Sequence, residues 1–382
     1  MMEDKRSVFL ILYFSRYRLS LWVSTFYFVC LLISSCEPMA TTFDDTGEAS
    51  YYSAKTYTPV TDTPSVIRVM TWNIRFGAGR ILWFGDACGE RVVLTEEEVY
   101  NSLQAIVDQI NKIKPDILLL QEVDINSKRS CYIDQLQWIL DHTWFNYAVC
   151  GSQWKAQFIP SDGLGRMDEE NVILSRWKIS DAQRIQLVLR NDQDKLTRYF
   201  YERCCLVTAR IEIPDFKNFY AVNIHASATA TLDIKQQHIT QFKNELDRIN
   251  QNGGYFVAGG DLNTLPPSSD TTDYCLQDKC SWESYHSAGD DPMHKEGSDY
   301  SPEQHFLDAL YQTYRCAVSD SLYKSDQFHF YTHTTRQDHY WDRTLDYLFT
   351  NYKWANHSVV VHQDATKESD HAPVSVLFIL PE

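Results

Sequence analysis

Apolar residues along this chain recur in two rhythms, and from Val66 onward the rhythms alternate. VIRVMTW and DILLLQE are short apolar runs that predict strands, and ILLL, which has no polar alternation, predicts one buried on both faces. TEEEVYNSLQAIVDQINKI places Val99, Leu103, Ile106, Val107 and Ile110 on one helical face; Thr95 and Glu98 stand at capping-box spacing, and Pro115 stops the run. YIDQLQWILDH and KQQHITQFKNELDRIN, the latter stopped by Gly253, predict two more helices. CLVTARIEI and FYAVNIH are separated only by the turn PDFKN, which requires an antiparallel hairpin. The sheet content is therefore mixed, which disfavours a purely parallel doubly wound fold. Residues from about Pro266 to His305 lack periodicity and read as a long surface insertion. FHFYTHTTRQDHY, with His329, His333 and His339, reads as strand and loop rather than a metal site, because no carboxylate or Cys spacing supports one.

The N-terminus follows a different rule. Lys5, Arg6, Arg16 and Arg18 precede LSLWVSTFYFVCLLIS, 16 uncharged residues that are short for a bilayer span but suit a signal h-region. The run ends in ISSC, which resembles the lipobox of bacterial lipoproteins, so residues 1–35 are expected to be a signal peptide and Cys36 the lipid-carrying terminus; an uncleaved signal anchor is the alternative. Residues 36–65, rich in Thr, Ser, Asp and Pro, predict a flexible tether, and 66–382 the folded domain. A lipid on Cys36 would hold that domain at the cell envelope, facing the periplasm or the cell surface. Export also puts the cysteines where disulfides persist, and Cys275 and Cys280 in CLQDKC are close enough in sequence to bridge. The net charge of −16 argues against a protein whose main task is coating nucleic acid.

Candidate chemistry sits where apolar runs end. TWN places Asn73, LQE places Glu122 and NIH places His225 at such ends; GDLN adds Asp261 and Asn263, LDY adds Asp346, and SDH adds Asp370 and His371. Charged groups beside buried strands cost several kcal/mol unless they are paired or hold a metal, so this many require a common explanation.

The motifs TWN, LQE, NIH, GDLN, LDY and SDH, in that order between Val66 and Phe378, resemble the endonuclease/exonuclease/phosphatase superfamily. The resemblance implies an α/β (α+β) fold: a four-layer sandwich of two mixed, mostly antiparallel sheets flanked by helices. It implies that Glu122 is the principal carboxylate ligand of Mg²⁺, with Mn²⁺ as the alternative, and that Asn73 and Asp370 lie close to the metal. His371 is then the catalytic histidine and Asp346 fixes its tautomer. Asp261 and Asn263 would contact the attacking water and the scissile phosphate, and His225 a phosphate oxygen or the leaving group. The base, Asp261 or His371, stays open.

Two residues depart from the family pattern: Glu170 in ENVILSR, where relatives often have Gly, and Ala226 in HAS, where HLS is commoner. TLPPSS after GDLN is unlike the AP endonucleases and inositol 5-phosphatases, which leaves the sphingomyelinase-like and broad bacterial branches closer. The expected protein is a monomeric, lipid-tethered phosphoesterase acting on a small molecule, a lipid headgroup or a nucleic acid. A nuclease is the first alternative and would want a basic rim, for which Arg75, Arg80, Arg176, Lys178 and Arg203 are candidates. A non-catalytic surface-binding protein is the second, and the intact Glu122, Asp261, Asn263, Asp346 and His371 oppose it.

Overall fold

Period-two alternation sorts each strand's side chains onto two faces, and in the computed structural model those faces stack into four layers. The structure describes residues 39–60, 64–86, 88–283, 297–336 and 340–381; the expected signal peptide, Cys36 and His339 lie outside them. The strands are β1 (Thr46–Glu48), β2 (Ser50–Ser53), β3 (Val66–Asn73), β4 (Ile117–Asp124), β5 (Tyr147–Ile159), β6 (Gly165–Ser175), β7 (Ile179–Gln186), β8 (Cys205–Ile211), β9 (Phe219–His225), β10 (Tyr255–Asp261), β11 (Arg315–Cys316), β12 (Asp346–Thr350), β13 (Val360–Val361) and β14 (Val374–Ile379). The helices are α1 (Glu96–Ile113), α2 (Gln135–His142), α3 (Lys195–Phe200), α4 (Leu232–Gln251), α5 (Cys275–Asp278), α6 (Asp308–Thr313) and α7 (Asp320–Ser325).

One seven-stranded sheet runs β13-β14-β3-β4-β6-β5-β2 and the other β1-β7-β8-β9-β10-β12-β11. β3 with β4 and β9 with β10 are parallel, and the other described pairs are antiparallel, including the expected β8–β9 hairpin. Between the sheets Ile67, Val69, Ile117 and Leu119 meet Val207, Ala209, Ala221 and Val257. On the outer faces Met70, Trp72, Leu118 and Leu120 pack against Val99, Leu103 and Ile106 of α1 and Ile139 of α2. Leu206, Val222 and Phe256 pack against Ile239, Phe242 and Leu246 of α4. Each such aliphatic or aromatic side chain contributes about 1.5–3 kcal/mol on burial, so these layers dominate stability. The helix starts follow their caps: Thr95 accepts from the Glu98 amide while the Glu98 carboxylate accepts from the Thr95 amide.

Three expectations need correction. The stretch 36–65 is not simply a tether, because β1 pairs with β7 and β2 with β5 as edge strands. Strands of three and four residues carry too few apolar positions to show against a Thr- and Ser-rich background. Cys280 is bonded to Cys88 and not to Cys275, which is buried; 192 residues separate the bridged pair, a contact that spacing along the chain could not reveal. Finally, the part of the 266–305 insertion that is described is no loose excursion: Tyr274 and Tyr300 are buried and packed edge to face. Among the described residues no helix is long and apolar enough to cross a membrane.

Arg129 anchors the end of β4. Its guanidinium donates to both oxygens of Asp124, at 2.9 and 3.0 Å, and to Glu169 Oε2 at 2.6 Å, and lies 3.7 Å from the centre of the Phe76 ring. Replacing Arg129→Met leaves two buried carboxylates without their cation, and urea unfolding should show a loss of about 3–5 kcal/mol. A loss below about 1 kcal/mol would show that the pair is not a structural anchor.

Candidate active site

The GGD of GGDLNTLP brings three strands level with one another. β10 lies between β9 and β12, and at its last residue Asp261 is the register partner of His225 on one side and Asp346 on the other. A Cβ on Gly259 would sit 1.9 Å from the Tyr347 carbonyl, and one on Gly260, whose φ is +138°, 1.9 Å from the Ile224 carbonyl. Only glycine permits so close an approach, and it ends in a row of three polar side chains at one sheet edge.

A second device aims Glu122. The register of β4 against β6 shifts between Leu120 and Val123, and Glu122 in this bulge has φ +55°. The bulge turns a side chain that would otherwise follow the strand's alternation into the cavity; for a non-glycine residue that backbone costs about 1–2 kcal/mol.

These pieces meet in a cavity of about 560 Å³, lined among others by Glu122, His225, Asp261, Asn263, Asp370 and His371. His371 Nδ1 is 2.8 Å from Asp346 Oδ2, which also accepts from the Thr332 hydroxyl at 2.6 Å. His371 Nε2 faces Asp261 Oδ2 at 3.6 Å. His225 Nε2 lies 3.7 Å from Asp261 Oδ2 and 3.8 Å from Glu122 Oε1. Its tautomer follows from a chain of amides: Asn171 donates to Gln153 Oε1, so Gln153 Nε2 donates to His225 Nδ1 at 3.0 Å, and the ring hydrogen must sit on Nε2, towards the carboxylates.

The expected metal residues do not behave alike. Asn73 Oδ1 accepts from the Arg75 amide, so its Nδ2 is the atom facing Glu122 Oε1 at 2.8 Å and Asp261 Oδ2 at 3.1 Å. An amide nitrogen cannot ligate a cation, and in this arrangement Asn73 turns that nitrogen to the two carboxylates and so orients them. Asp370 lies 3.3 Å from Arg75 Nε. Asn263, with φ +48°, donates its own amide to Asp261 Oδ1 and its Nδ2 to the Ala226 carbonyl, so it braces the loop after β9.

The electrostatics follow from crowding. Burial, with Glu169 and Asp370 nearby, pushes Glu122 up to about 8. Burial likewise lifts Asp261 to about 6 against the pull of His371. Burial opposes charge on His371, yet the carboxylates of Asp346 and Asp261 hold it up at about 10. Asp370 goes the other way: burial would raise it, but Arg75 and His371 hold it well below the usual carboxylate range. Hard oxygen donors on a crowded, under-compensated Glu122, with Asp370 beside it, fit a divalent cation.

Reading the sequence missed several neighbours. His333, expected in strand or loop, lines the cavity; its ring lies 4.4 Å from that of His371, and His333, Asp370 and His371 bring one donor atom each within 4.8 Å. Arg129 and Glu169 stand behind Glu122, and neither falls in a periodic segment that would have marked it. Of the five candidates for a basic rim only Arg75 and Arg80 reach the cavity; Arg176 pairs with Asp116, Lys178 with Glu212, and Arg203 donates to the Thr41 carbonyl. Glu170 is buried away from the cavity lining, pushed up to about 8 by burial and by Asp168, whereas Ala226 lines the cavity.

A model of the Endonuclease/Exonuclease/phosphatase family matches residues 70–371. No curated protein matches the chain in sequence. Among solved structures, the endonuclease/exonuclease/phosphatase from Beutenbergia cavernae DSM 12333 is similar at 18% identity, covering 83% of this chain and 72% of that one, with a TM-score of 0.53. The human Nocturnin catalytic domain with bound sulfate anion is 16% identical, covering 87% and 98%, with a TM-score of 0.48. An AP endonuclease from Archaeoglobus fulgidus is 12% identical, covering 82% and 100%, with a TM-score of 0.46. At 18% identity the likeness to the Beutenbergia cavernae structure concerns the fold.

The loop that follows His225 rests on His238. The buried His238 accepts from the Ser227 amide at Nδ1 and donates from Nε2 to the Val188 carbonyl at 2.8 Å, so it is neutral, and burial pulls its pKa from 6.5 to about 4. The folded state therefore binds fewer protons than the unfolded chain between those values: the stabilisation is whole above 6.5 and is lost as the pH falls towards 4. Between about pH 7.5 and about pH 5, wild type should lose about 2 kcal/mol more than His238→Gln in urea unfolding. Equal losses would remove His238 from this role.

Proposed function

The chain belongs to the endonuclease/exonuclease/phosphatase family, hydrolases of phosphoester bonds, and from that premise we propose that it is a divalent-metal-dependent, envelope-tethered phosphoesterase that uses water as the nucleophile. The observation that carries the reading is the level row of His225, Asp261 and Asp346, with His371 bridging Asp346 and Asp261 beside Glu122. Glu122 and Asp370 would hold the cation, Mg²⁺ or Mn²⁺, which when bound supplies the positive charge that a phosphate's oxygens need.

The chain's own residues do the rest. Asp261 Oδ2 faces the Nε2 atoms of both histidines, at 3.6 and 3.7 Å, and a water placed on it is oriented for attack. Asp346 fixes His371 as an Nδ1–H donor towards itself, and the two carboxylates keep the ring cationic, so Nε2–H donates towards Asp261 or the phosphate and the proton taken from that water goes to Asp261. His225, with its hydrogen on Nε2, donates to a phosphate oxygen or to the departing oxygen. Asn73 holds Glu122 and Asp261 apart at fixed positions. The walls around the site shield these charges from water and strengthen each of them.

The chain lacking residues 1–35 should release phosphate or headgroup from at least one of sphingomyelin, inositol phosphates, bis-p-nitrophenyl phosphate and plasmid DNA in Mg²⁺. Chelation should abolish turnover, and Glu122→Gln and His371→Ala should each lower kcat by about 10²–10⁴. Undiminished hydrolysis in both variants would sink the assignment.

Cys36 carries the tether in this reading. In cells, the full chain should sediment with membranes and Cys36→Ser should not mature to the lipid-bearing form; an unchanged distribution and unchanged detergent-phase partitioning would reject the anchor.

A further inference from the structure

Two walls that are far apart in sequence face each other across the cavity. One is the loop after β3, carrying Leu82, Trp83 and Asp86. It is tightly folded: the Trp83 amide donates to Asp86 Oδ2 at 2.7 Å, Phe84 donates to the Arg91 carbonyl at 2.9 Å, and Trp83 packs on Phe76 at 5.2 Å. Its turn needs Gly89, where any Cβ would fall 1.6 Å from the Trp83 carbonyl oxygen. The other wall carries Asp278, Ser298 and Tyr300. It is closed by backbone bonds from Tyr274 to Ser298 and from Tyr300 to Thr272, each 2.8 Å. Asp278 accepts two bonds from the buried Arg343, at 2.7 and 2.9 Å, and that guanidinium lies 3.9 Å from the Tyr274 ring centre. The Cys88–Cys280 disulfide joins the two walls.

We infer that this disulfide staples the rim into a pocket that takes one small phosphoester group and turns away duplex nucleic acid. The inference rests on the proposed phosphoesterase activity and names the substrate class of that same site. About 560 Å³ is the volume of a small-molecule site, and with its walls covalently joined the rim cannot swing apart. Charge points the same way. A duplex is held by Lys and Arg side chains offered to successive phosphates, yet among the described residues the arginines lining this cavity are spent inside the protein. Arg75 pairs with Asp86 and Asp370, Arg129 with Asp124 and Glu169, and Arg343 with Asp278 and Asp342. Arg80 donates to the carbonyls of Thr334, Ser369 and Arg336. A lone phosphate needs no such track, because the cation and the histidines suffice.

The test compares the oxidised wild type with the Cys88→Ser/Cys280→Ser double variant. Binding of a short labelled duplex is read by fluorescence anisotropy, and turnover is read on bis-p-nitrophenyl phosphate and on supercoiled plasmid. Wild type should hydrolyse the small diester and leave plasmid intact. The variant should bind duplex about tenfold more tightly while its KM for the small diester moves less than about threefold. Duplex binding equal in the two proteins, or plasmid nicking by wild type as efficient as small-ester hydrolysis, would overturn the inference. Should the variant fail to fold, judged by its circular dichroism, wild type treated with dithiothreitol takes its place in the same comparison. Loss of all hydrolysis by wild type would instead reject the phosphoesterase reading, and the anisotropy comparison would still decide the role of the staple.

Discussion

A small set of hydrogen bonds inside the dry sandwich decides where everything else falls. Asn223 reaches from β9 across to the other sheet, donating to the carbonyls of Leu120 and Val172 at 2.7 and 2.8 Å, and Gln121 Nε2 donates to Asn223 Oδ1 at 2.6 Å. Both side chains are fully buried. Apolar packing alone is nearly indifferent to a slide of one sheet over the other, but a slide here would strand these groups at about 1–3 kcal/mol each. The lock fixes Gln121 over Asn223; Glu122 follows Gln121 directly and His225 stands two residues past Asn223. The catalytic distances between the two sheets are therefore inherited from a contact that takes no part in chemistry.

The chain ends of the domain are tied together in the same way. β3 and β14 are neighbours, so the first motif and the last lie side by side. Ser369 donates to the Asn73 carbonyl at 2.8 Å and accepts from the His371 amide at 3.1 Å, while Trp72 Nε1 donates to the His371 carbonyl at 2.8 Å. His371 is thus held by backbone contacts before its ring meets Asp346. Preorganisation of this kind lets a charged ring keep its place without reorganising during a reaction.

Local strain marks the working positions. Glu122, Asn263 and Arg75 all adopt positive φ, and Gly259 and Gly260 sit where no side chain fits. Such backbone survives because packing over-determines it, and at these positions it lets the chain aim side chains at one point. The buried arginines play the complementary part: each neutralises carboxylates beside the cavity and keeps the crowd of acids from dispersing the walls.

The sequence determined the elements and the cast. Capping at Thr95 and Glu98, the apolar run ILLL and the short PDFKN turn are local signals, and the helices and the hairpin formed where those signals stood. The polar residues at strand ends were equally legible, since a carboxylate after a buried run is conspicuous wherever it points. Pairing and direction were not legible, because they depend on residues from about forty to nearly two hundred positions away. Nothing near Cys280 names Cys88 as its partner, nothing in THTT shows that His333 lies against His371, and nothing in TWN shows that Asn73 turns its nitrogen to Glu122. Edge strands of three and four residues inside a polar stretch had too little apolar pattern to be seen, and only the waiting edges of β7 and β5 ordered them. Local chemistry writes the elements, whereas partners, tautomers and the shape of the cavity are set by close packing between distant segments, which only the folded chain contains.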